Sequence, residues 1–387
     1  MNILFLHKMG ISPLRGGISR MTFVLGEFLK REGYNVYYLS FENQKGVKYL
    51  DNQFFFPSAR SILSKENELF FDSFLREKEI NILINQASMD RNIVKFVSKF
   101  KDRNLKKISV IHNSLLMPIV NWYALKEFKL RKRRLSYLLP LLKSNLCIVI
   151  LKNLYRCKSY SHYVRLQQDS DKIVFVAPKN EEDLFFILGK QISNISVICN
   201  SISLPEYNLG QKEKEILWVG TPDFSIKRID IILKIWSIVS PKFEDWTLKI
   251  LGDSSSLVEA KKIARNLNLE RIRFEGRVDP NDYYKTASFL CLTSTTESFG
   301  LVLVEAMHYG VIPFAFDSFP AVREIIDDQK NGFIIPKFKI EEYTSVLTCQ
   351  MEKIDRINNM GKAAIEKSKR FDISNVGKEW IDLLTNL

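Results

Sequence analysis

The stretch that most constrains this chain is Thr295-Thr296-Glu297-Ser298-Phe299-Gly300-Leu301-Val302-Leu303-Val304-Glu305. Before it, Ser288-Phe289-Leu290-Cys291-Leu292 is an apolar run of the kind that forms a buried strand. After Ser298 the apolar residues continue for about three helical turns, and Gly310 follows as a C-terminal stop. Strand, polar turn and helix in succession are the building unit of a parallel α/β sheet, with Ser298 as the expected N-cap. The helix start presents unpaired amides around Phe299, Gly300 and Leu301, and Gly300 lets a ligand come close to the backbone.

Two carboxylates bracket those amides. Glu297 falls in the turn and Glu305 eight positions later, roughly 12 Å along a helix at 1.5 Å per residue. A carboxylate beside a phosphate-binding nest repels the ligand unless it serves hydroxyl groups to either side. A nucleoside diphosphate sugar has that layout, with sugar hydroxyls, a diphosphate and ribose hydroxyls in line. The helix dipole favours the diphosphate, and each acid can accept from one ring. An acidic helix start followed by one surface glutamate fits the same letters and stands as the alternative.

At 387 residues the chain exceeds one core of common size, so two domains of about 190 residues are expected. With 46% hydrophobic and 26% charged residues the composition is that of an ordinary globular protein. Cys147, Cys157, Cys199, Cys291 and Cys349 are scattered without a CxxC and read as reduced core thiols of a cytosolic protein. Met1-Asn2-Ile3-Leu4-Phe5-Leu6-His7 is too short for a secretory signal. No run reaches the ~20 apolar residues of a membrane span, and the longest candidate, 138–151, is interrupted by Lys143. A net charge of +13 calls for an anionic partner.

In chain order, 1–7 reads as a strand, 8–17 as a loop with the paired glycines Gly16 and Gly17, then a helix closed by Gly33. Strands follow at 35–40, 80–86, 108–113, 172–177 and 195–200, with helices between them. His112 falls at the C-terminal end of its strand, where open parallel sheets bind ligands, and a structural role fits it equally. Six of the nine residues from Lys126 to Arg134 are basic and alternate with apolar ones. That pattern fits a helix lying on an anionic membrane surface or a solvated helix face, and no nucleic-acid module accompanies it.

Residues 201–215 are polar and read as the linker. A second alternating set then places strands at 216–220, 246–252, 271–275, 288–293, 311–316 and 333–336. The expected architecture is therefore α/β: two doubly wound Rossmann-like domains facing across a cleft. Its divisions are an N-terminal domain (1–203), a C-terminal domain (204–365) and terminal helices (366–387). The loop Gly220-Thr221-Pro222-Asp223-Phe224-Ser225-Ile226-Lys227-Arg228 ends in two cations just before a helix, where they oppose the dipole and suggest an anionic ligand. Asp169-Ser170-Asp171 imitates a metal-binding DxD but precedes its strand, so it reads as a turn and no metal site is expected.

These residues resemble the retaining GT-B glycosyltransferases of glycosyltransferase family 4. Glu297 and Glu305 are similar to that family's E-x7-E motif, Gly16-Gly17 to its glycine-rich loop, His112 to its strand-end histidine and Lys227 to its phosphate-binding lysine. Phe314-Ala315-Phe316-Asp317-Ser318-Phe319-Pro320-Ala321-Val322 is similar to members that build bacterial surface polysaccharides. The family's arginine before the lysine is replaced by Thr221, with Arg228 as the candidate substitute, and its Asn-Gly after the last N-domain strand is Asn200-Ser201.

The resemblance implies that residues 1–203 bind the acceptor and 204–365 the nucleotide sugar, with the helices of 366–387 packing back on the first domain. It implies that Glu297 contacts the donor sugar and Glu305 the ribose. The amides near Ser298, Phe299, Gly300 and Leu301, with Lys227 and Arg228, hold the diphosphate. Arg277 and Val278 lie near the base, and His112 with Gly16 and Gly17 faces the sugar. It implies transfer of a hexose or N-acetylhexosamine from a nucleotide sugar, UDP-linked ahead of GDP-linked, without metal or other cofactor and with retention by front-face attack. The acceptor is a glycan or polyprenyl-diphosphate-linked glycan of lipopolysaccharide or capsule synthesis. The site of action is the inner face of the bacterial plasma membrane, reached from the cytoplasm through residues 126–134. A GT-B nucleotide-sugar epimerase and a catalytically weak nucleotide-sugar-binding protein are the alternatives, the second motivated by Thr221.

Overall fold

A computed structural model of the chain describes residues 1–13, 16–43, 47, 49–50, 52–100, 104–353 and 357–387. They form two compact units. The first comprises Met1–Asn113, Leu154–Ser203 and Phe371–Leu387, and the second Ser114–Asn153 and Leu204–Arg370. The division falls inside a helix, Asn145–Asp169.

The first unit is built on seven parallel strands: β1 (Asn2–Met9), β2 (Asn35–Glu42), β3 (Gln53–Phe55), β4 (Ile82–Asn85), β5 (Lys106–Ile111), β6 (Lys172–Phe175) and β7 (Ile195–Val197). Their order is β3-β2-β1-β4-β5-β6-β7, so the winding reverses between β1 and β4. The period-2 geometry of a strand explains why β1 is apolar at every inner position. Ile3 and Phe5 join a core with Leu25, Leu29, Val376 and Trp380, whereas Leu4 and Leu6 join another with Phe71, Phe74 and Phe96 on the opposite face. The helix Gly17–Arg31 packs on Ile373–Thr385, and a Cβ built at Gly377 would stand 2.4 Å from the Phe28 ring. Asp372 caps that last helix by accepting from the Ser374 amide, as an N-cap aspartate should.

The second unit has six parallel strands: β8 (Glu213–Val219), β9 (Thr247–Leu251), β10 (Ile272–Gly276), β11 (Ala287–Leu292), β12 (Ile312–Phe316) and β13 (Phe333–Ile335). The order β10-β9-β8-β11-β12-β13 repeats the same winding, with its reversal between β8 and β11. Helix Ile229–Val239 buries Ile229, Ile232, Leu233, Ile235 and Trp236 against this sheet, each worth about 1.5–3 kcal/mol. Among the described residues all the pairings in both sheets are parallel, so the loops that follow the strands within each unit gather on one edge.

Four departures from the sequence reading have physical causes. Residues 213–215, assigned to the linker, open β8: Lys214 pairs with Asp245 and Glu215 with Lys249, so charges that resemble a loop are satisfied across the sheet. Residues 114–153, assigned to the N-terminal domain, cluster with the second unit, to which buried hydrogen bonds tie Asn121 and Ala124. The helix after β11 starts at Leu301, two residues beyond the span expected from a Ser298 N-cap, because Gly300 turns the chain with φ 93°. Cys157 is exposed, and Cys291 alone of the five is fully buried, with its thiol pushed up to about 12 by loss of solvent. Residues 14 and 15 of the expected loop 8–17 lie outside the described residues.

Candidate active site

The winding reversal of the second sheet is where an open α/β fold leaves a crevice at its strand C-termini. The loop after β8 (220–228) and the loop after β11 (293–300) meet there, and they are bonded to each other along their length. Thr295 donates its amide to the Ile226 carbonyl at 2.7 Å and its hydroxyl to the Ser225 carbonyl at 2.7 Å. The Thr293 hydroxyl donates to the Lys227 carbonyl at 2.9 Å while accepting from the Trp218 indole at 3.0 Å. The Asp223 carboxylate takes the amides of Ser225, Ile226 and Lys227 at 2.6, 2.5 and 3.1 Å, which folds the loop back on itself.

This framework brings Lys227 and Glu297 together. The Lys227 ammonium donates to Glu297 Oε1 at 2.6 Å, and the Ser294 hydroxyl donates to the same oxygen at 2.6 Å. Side-chain exposure is 23% for Lys227 and 10% for Glu297, so the pair sits in a partly dried pocket where charge interactions are stronger than at the surface. Asn121 supports the Glu297 loop from behind: its amide donates to the carbonyls of Thr295 (2.7 Å) and Ser318 (2.9 Å), and Ser318 donates to the Ser294 carbonyl. Gly252 supports the Lys227 loop. Its Cα lies so close that an added Cβ would stand 1.8 Å from the Gly220 carbonyl oxygen, at a φ of 140°.

Ser298, Phe299, Gly300 and Leu301 follow directly, with Phe299 buried and Gly300 closing the turn into Leu301–His308. Helix geometry leaves the first amides of that helix without partners from its own turns. Phe319 lies against Gly300, 3.1 Å from where its Cβ would be. Glu305 is half-buried on that helix and accepts from the Tyr284 hydroxyl at 3.4 Å. Arg277 and Val278 are exposed immediately after β10, on the same sheet edge.

Arg228 does not join this group. It is 3% exposed, its φ is 51°, and its guanidinium is committed to Asp230 (2.9–3.2 Å), Glu127 (3.2 Å) and the Ala124 carbonyl (3.0 Å). The expectation that it replaces the cation missing at Thr221 is therefore corrected: it fastens helix Trp122–Lys132 to the β8 loop. Burial works against the charges of all three groups. The carboxylates outweigh it at Arg228, whose pKa is raised, and the cations outweigh it at Glu127, whose pKa is lowered, whereas burial prevails at Asp230, whose pKa is raised. That helix also stacks Phe128 on Phe224 and pairs Arg131 with Glu127 and Lys132 with Glu259. Part of the basic stretch 126–134 is thus used within the protein.

In the first unit, Gly16 precedes helix Gly17–Arg31 with φ 49°, on the edge where β1 ends. His112, just past β5, is 2% exposed and its Nε2 lies 2.5 Å from Gln86 Oε1. Burial, with His7 adding a smaller push, lowers its pKa to about 3. Asp171 accepts from the Lys107 amide at 2.8 Å, and no group of three or more His, Cys, Asp or Glu able to hold a metal occurs among the described residues. Sequence reading missed Asn121, Asp223, Thr293, Ser294, Thr295 and Gln86. Only Asp223 carried a local signal, an aspartate two residues before a serine in a turn.

Residues 202–367 match the family model described as Glycosyl transferases group 1. An uncharacterized glycosyltransferase of Haemophilus influenzae is 32% identical over 217 residues, 55% of this chain and 61% of that protein. The amylovoran biosynthesis glycosyltransferase AmsD of Erwinia amylovora is 27% identical over 199 residues, 50% of this chain and 55% of that protein. The chain thus matches just over half the length of these curated relatives. The Anabaena protein Alr3699/HepE, solved in complex with UDP and glucose, superposes with a TM-score of 0.74 at 15% identity, covering all of both chains. The second unit therefore carries a match to the glycosyl transferases group 1 domain, and the chain has the GT-B glycosyltransferase fold of two α/β domains with parallel sheets.

Proposed function

We propose that this protein is a retaining, metal-independent glycosyltransferase of family 4. It moves a hexose or N-acetylhexosamine from a nucleotide sugar, UDP-linked ahead of GDP-linked, to a glycan or polyprenyl-diphosphate-linked glycan in bacterial polysaccharide synthesis. The observation that carries the reading is the 2.6 Å Lys227–Glu297 pair, held at the β8/β11 reversal beside the Gly300 turn. A diphosphate arriving at that turn competes with Glu297 for Lys227. The released carboxylate then accepts from the sugar hydroxyls, so donor binding itself prepares the acid.

In the transfer step the bond from the anomeric carbon to the phosphate oxygen breaks, and a bond from that carbon to the acceptor oxygen forms on the same face. The departing phosphate oxygen takes the acceptor's proton. Lys227 and the amides at Phe299, Gly300 and Leu301 offset the charge growing on the leaving group, which is the largest lever for such a reaction. Glu305, which accepts from the buried Tyr284 hydroxyl, is assigned to the ribose, and Arg277 and Val278 to the base. Gly16, Gly17 and His112 are assigned sugar contacts from the resemblance. The reading places the protein at the inner face of the plasma membrane.

Glu297→Gln tests the assignment, since it keeps the shape and removes the charge. Transfer should fall by at least about a hundredfold in kcat with UDP affinity little changed. Unchanged turnover with the preferred donor would refute it. Thr221 favours a second reading, a nucleotide-sugar-binding protein with weak catalysis, because the Arg228 side chain is engaged elsewhere. A gain of transfer on Thr221→Arg would support the second reading.

A further inference from the structure

We infer that the exposed apolar face of helix Asn145–Asp169, with the turns just before it, is an insertion surface for an anionic lipid bilayer. This deepens the reading above, which requires the chain to meet a lipid-linked acceptor, but the surface argument itself uses no residue of the candidate active site.

The start of that helix, Asn145-Leu146-Cys147-Ile148-Val149-Ile150-Leu151, is apolar on all sides after its first residue. Helices of this kind are normally enclosed by protein or lipid. Here Leu146, Val149, Ile150 and Leu154 are each 49–71% exposed, and so are Tyr137 and Leu141 in the turns before. At 100° per residue, Leu146, Val149, Ile150, Leu154 and the exposed Cys157 fall within an arc of about 140°, a single face. An exposed apolar face of this extent marks a binding surface in a folded protein.

Charge identifies the occupant. Between Glu127 and Asp169 there is no acidic residue, whereas five lysines and arginines lie at 129–134 and five more at 143–165; of these ten, Arg131 and Lys132 are already paired with Glu127 and Glu259. Arg133 and Arg134 are exposed at the end of the preceding helix. Two copies meeting through this face would bring the same positive flanks together, whereas anionic headgroups neutralise them. The helical segments Ser136–Lys143 and Asn145–Asp169 meet at 71°, and no single helix among the described residues is long and apolar enough to cross a membrane. The bend suits a segment lying in the interfacial layer, with apolar side chains directed into the acyl region and cations at headgroup level.

The test is co-sedimentation of the full chain with phosphatidylcholine vesicles containing 30% phosphatidylglycerol, without nucleotide. The variant Leu146→Ser/Ile150→Ser/Leu154→Ser should lose at least about tenfold in vesicle affinity while keeping its melting temperature, since the three positions are exposed. A separate Leu146→Trp variant should gain blue-shifted emission on vesicles and be quenched by brominated acyl chains. Equal affinity of wild type and the triple variant, or no wild-type binding, would overturn the proposal. So would a wild-type dimer that the triple variant abolishes without any vesicle binding, which would assign the face to a second copy. A UDP thermal-shift measurement on the same preparations keeps failure here distinct from failure of the glycosyltransferase reading.

Discussion

Replacing Arg228 with methionine separates a structural cation from a ligand-binding one. The guanidinium is 4% exposed and makes hydrogen bonds to Asp230, Glu127 and the Ala124 carbonyl. Removing one partner from such a buried cluster costs about 3–5 kcal/mol, because the carboxylates left behind stay largely out of water. Glu127 and Asp230 retain 15% and 17% side-chain exposure, and Asp230 also lies in the first turn of Ile229–Val239, where the helix dipole favours it. Both facts place the loss at the lower end, about 3 kcal/mol, which for a unit of about 200 residues lowers its melting temperature by roughly 6–12 °C. Adding Asp230→Asn should restore about 1 kcal/mol by removing one stranded charge. Hydrogen exchange should accelerate in Trp122–Lys132, the helix that Arg228 fastens. UDP affinity, measured well below the transition, should stay within about threefold of wild type. A tenfold or greater loss of UDP affinity with exchange in that helix unchanged would refute this reasoning and return Arg228 to the diphosphate.

Three further outcomes follow from the geometry. His112, held neutral by burial with a pKa of about 3, contributes stability that is complete above its unfolded value near 6.5 and is lost as pH falls from there toward 3. Between pH 6.5 and 5 that loss is about 2 kcal/mol, with a smaller solvent-screened share from His162, lowered to about 4 by burial. Denaturant titrations across this range should show His112→Gln shallower than wild type by about one proton, and equal slopes would contradict the burial argument. Gly252→Ala should destabilise the second unit by more than about 3 kcal/mol, read as a lost or lowered melting transition, because its methyl meets the Gly220 carbonyl oxygen. Nucleotide release from the donor should require an acceptor, and conversion of the donor to its epimer without acceptor would favour the epimerase.

Most strands were legible because their apolar runs are short, buried on both faces and set off by polar turns. Phe289, Leu290, Cys291 and Leu292 of β11 are all buried, as their composition implies. The three-residue β3 was not legible, since Gln53-Phe54-Phe55 carries no period. Nor was the long helix Asn145–Asp169, whose first turns are apolar all round and so show no helical stripe. Glu297 and Lys227, which lie 2.6 Å apart in the structure, were legible as candidates because each lies in a polar loop between a strand and a helix. The residues that position them were not. Asn121 reaches carbonyls 174 and 197 residues away, and side-chain-to-backbone bonds of that span leave no trace in local pattern.

The same residues explain how the loop that carries Thr221 has a defined shape. Asp223 gathers three amides of the loop, Thr293 and Thr295 bond its carbonyls, and Arg228 anchors its end in a buried ion cluster. None of those contacts uses the Lys227 ammonium, whose bond is to Glu297. The loop is therefore held by groups that a diphosphate need not displace. On the proposed reading, an arriving diphosphate competes for Lys227 with the Glu297 carboxylate, and the Ser294 hydroxyl, already bonded to that carboxylate, is the group left to steady it. Substituting Ser294 by alanine should accordingly leave the fold intact and loosen Glu297 only in the donor complex. That appears as a fall in kcat of roughly tenfold with KM nearly constant. A rise in KM alone would place Ser294 in donor binding instead.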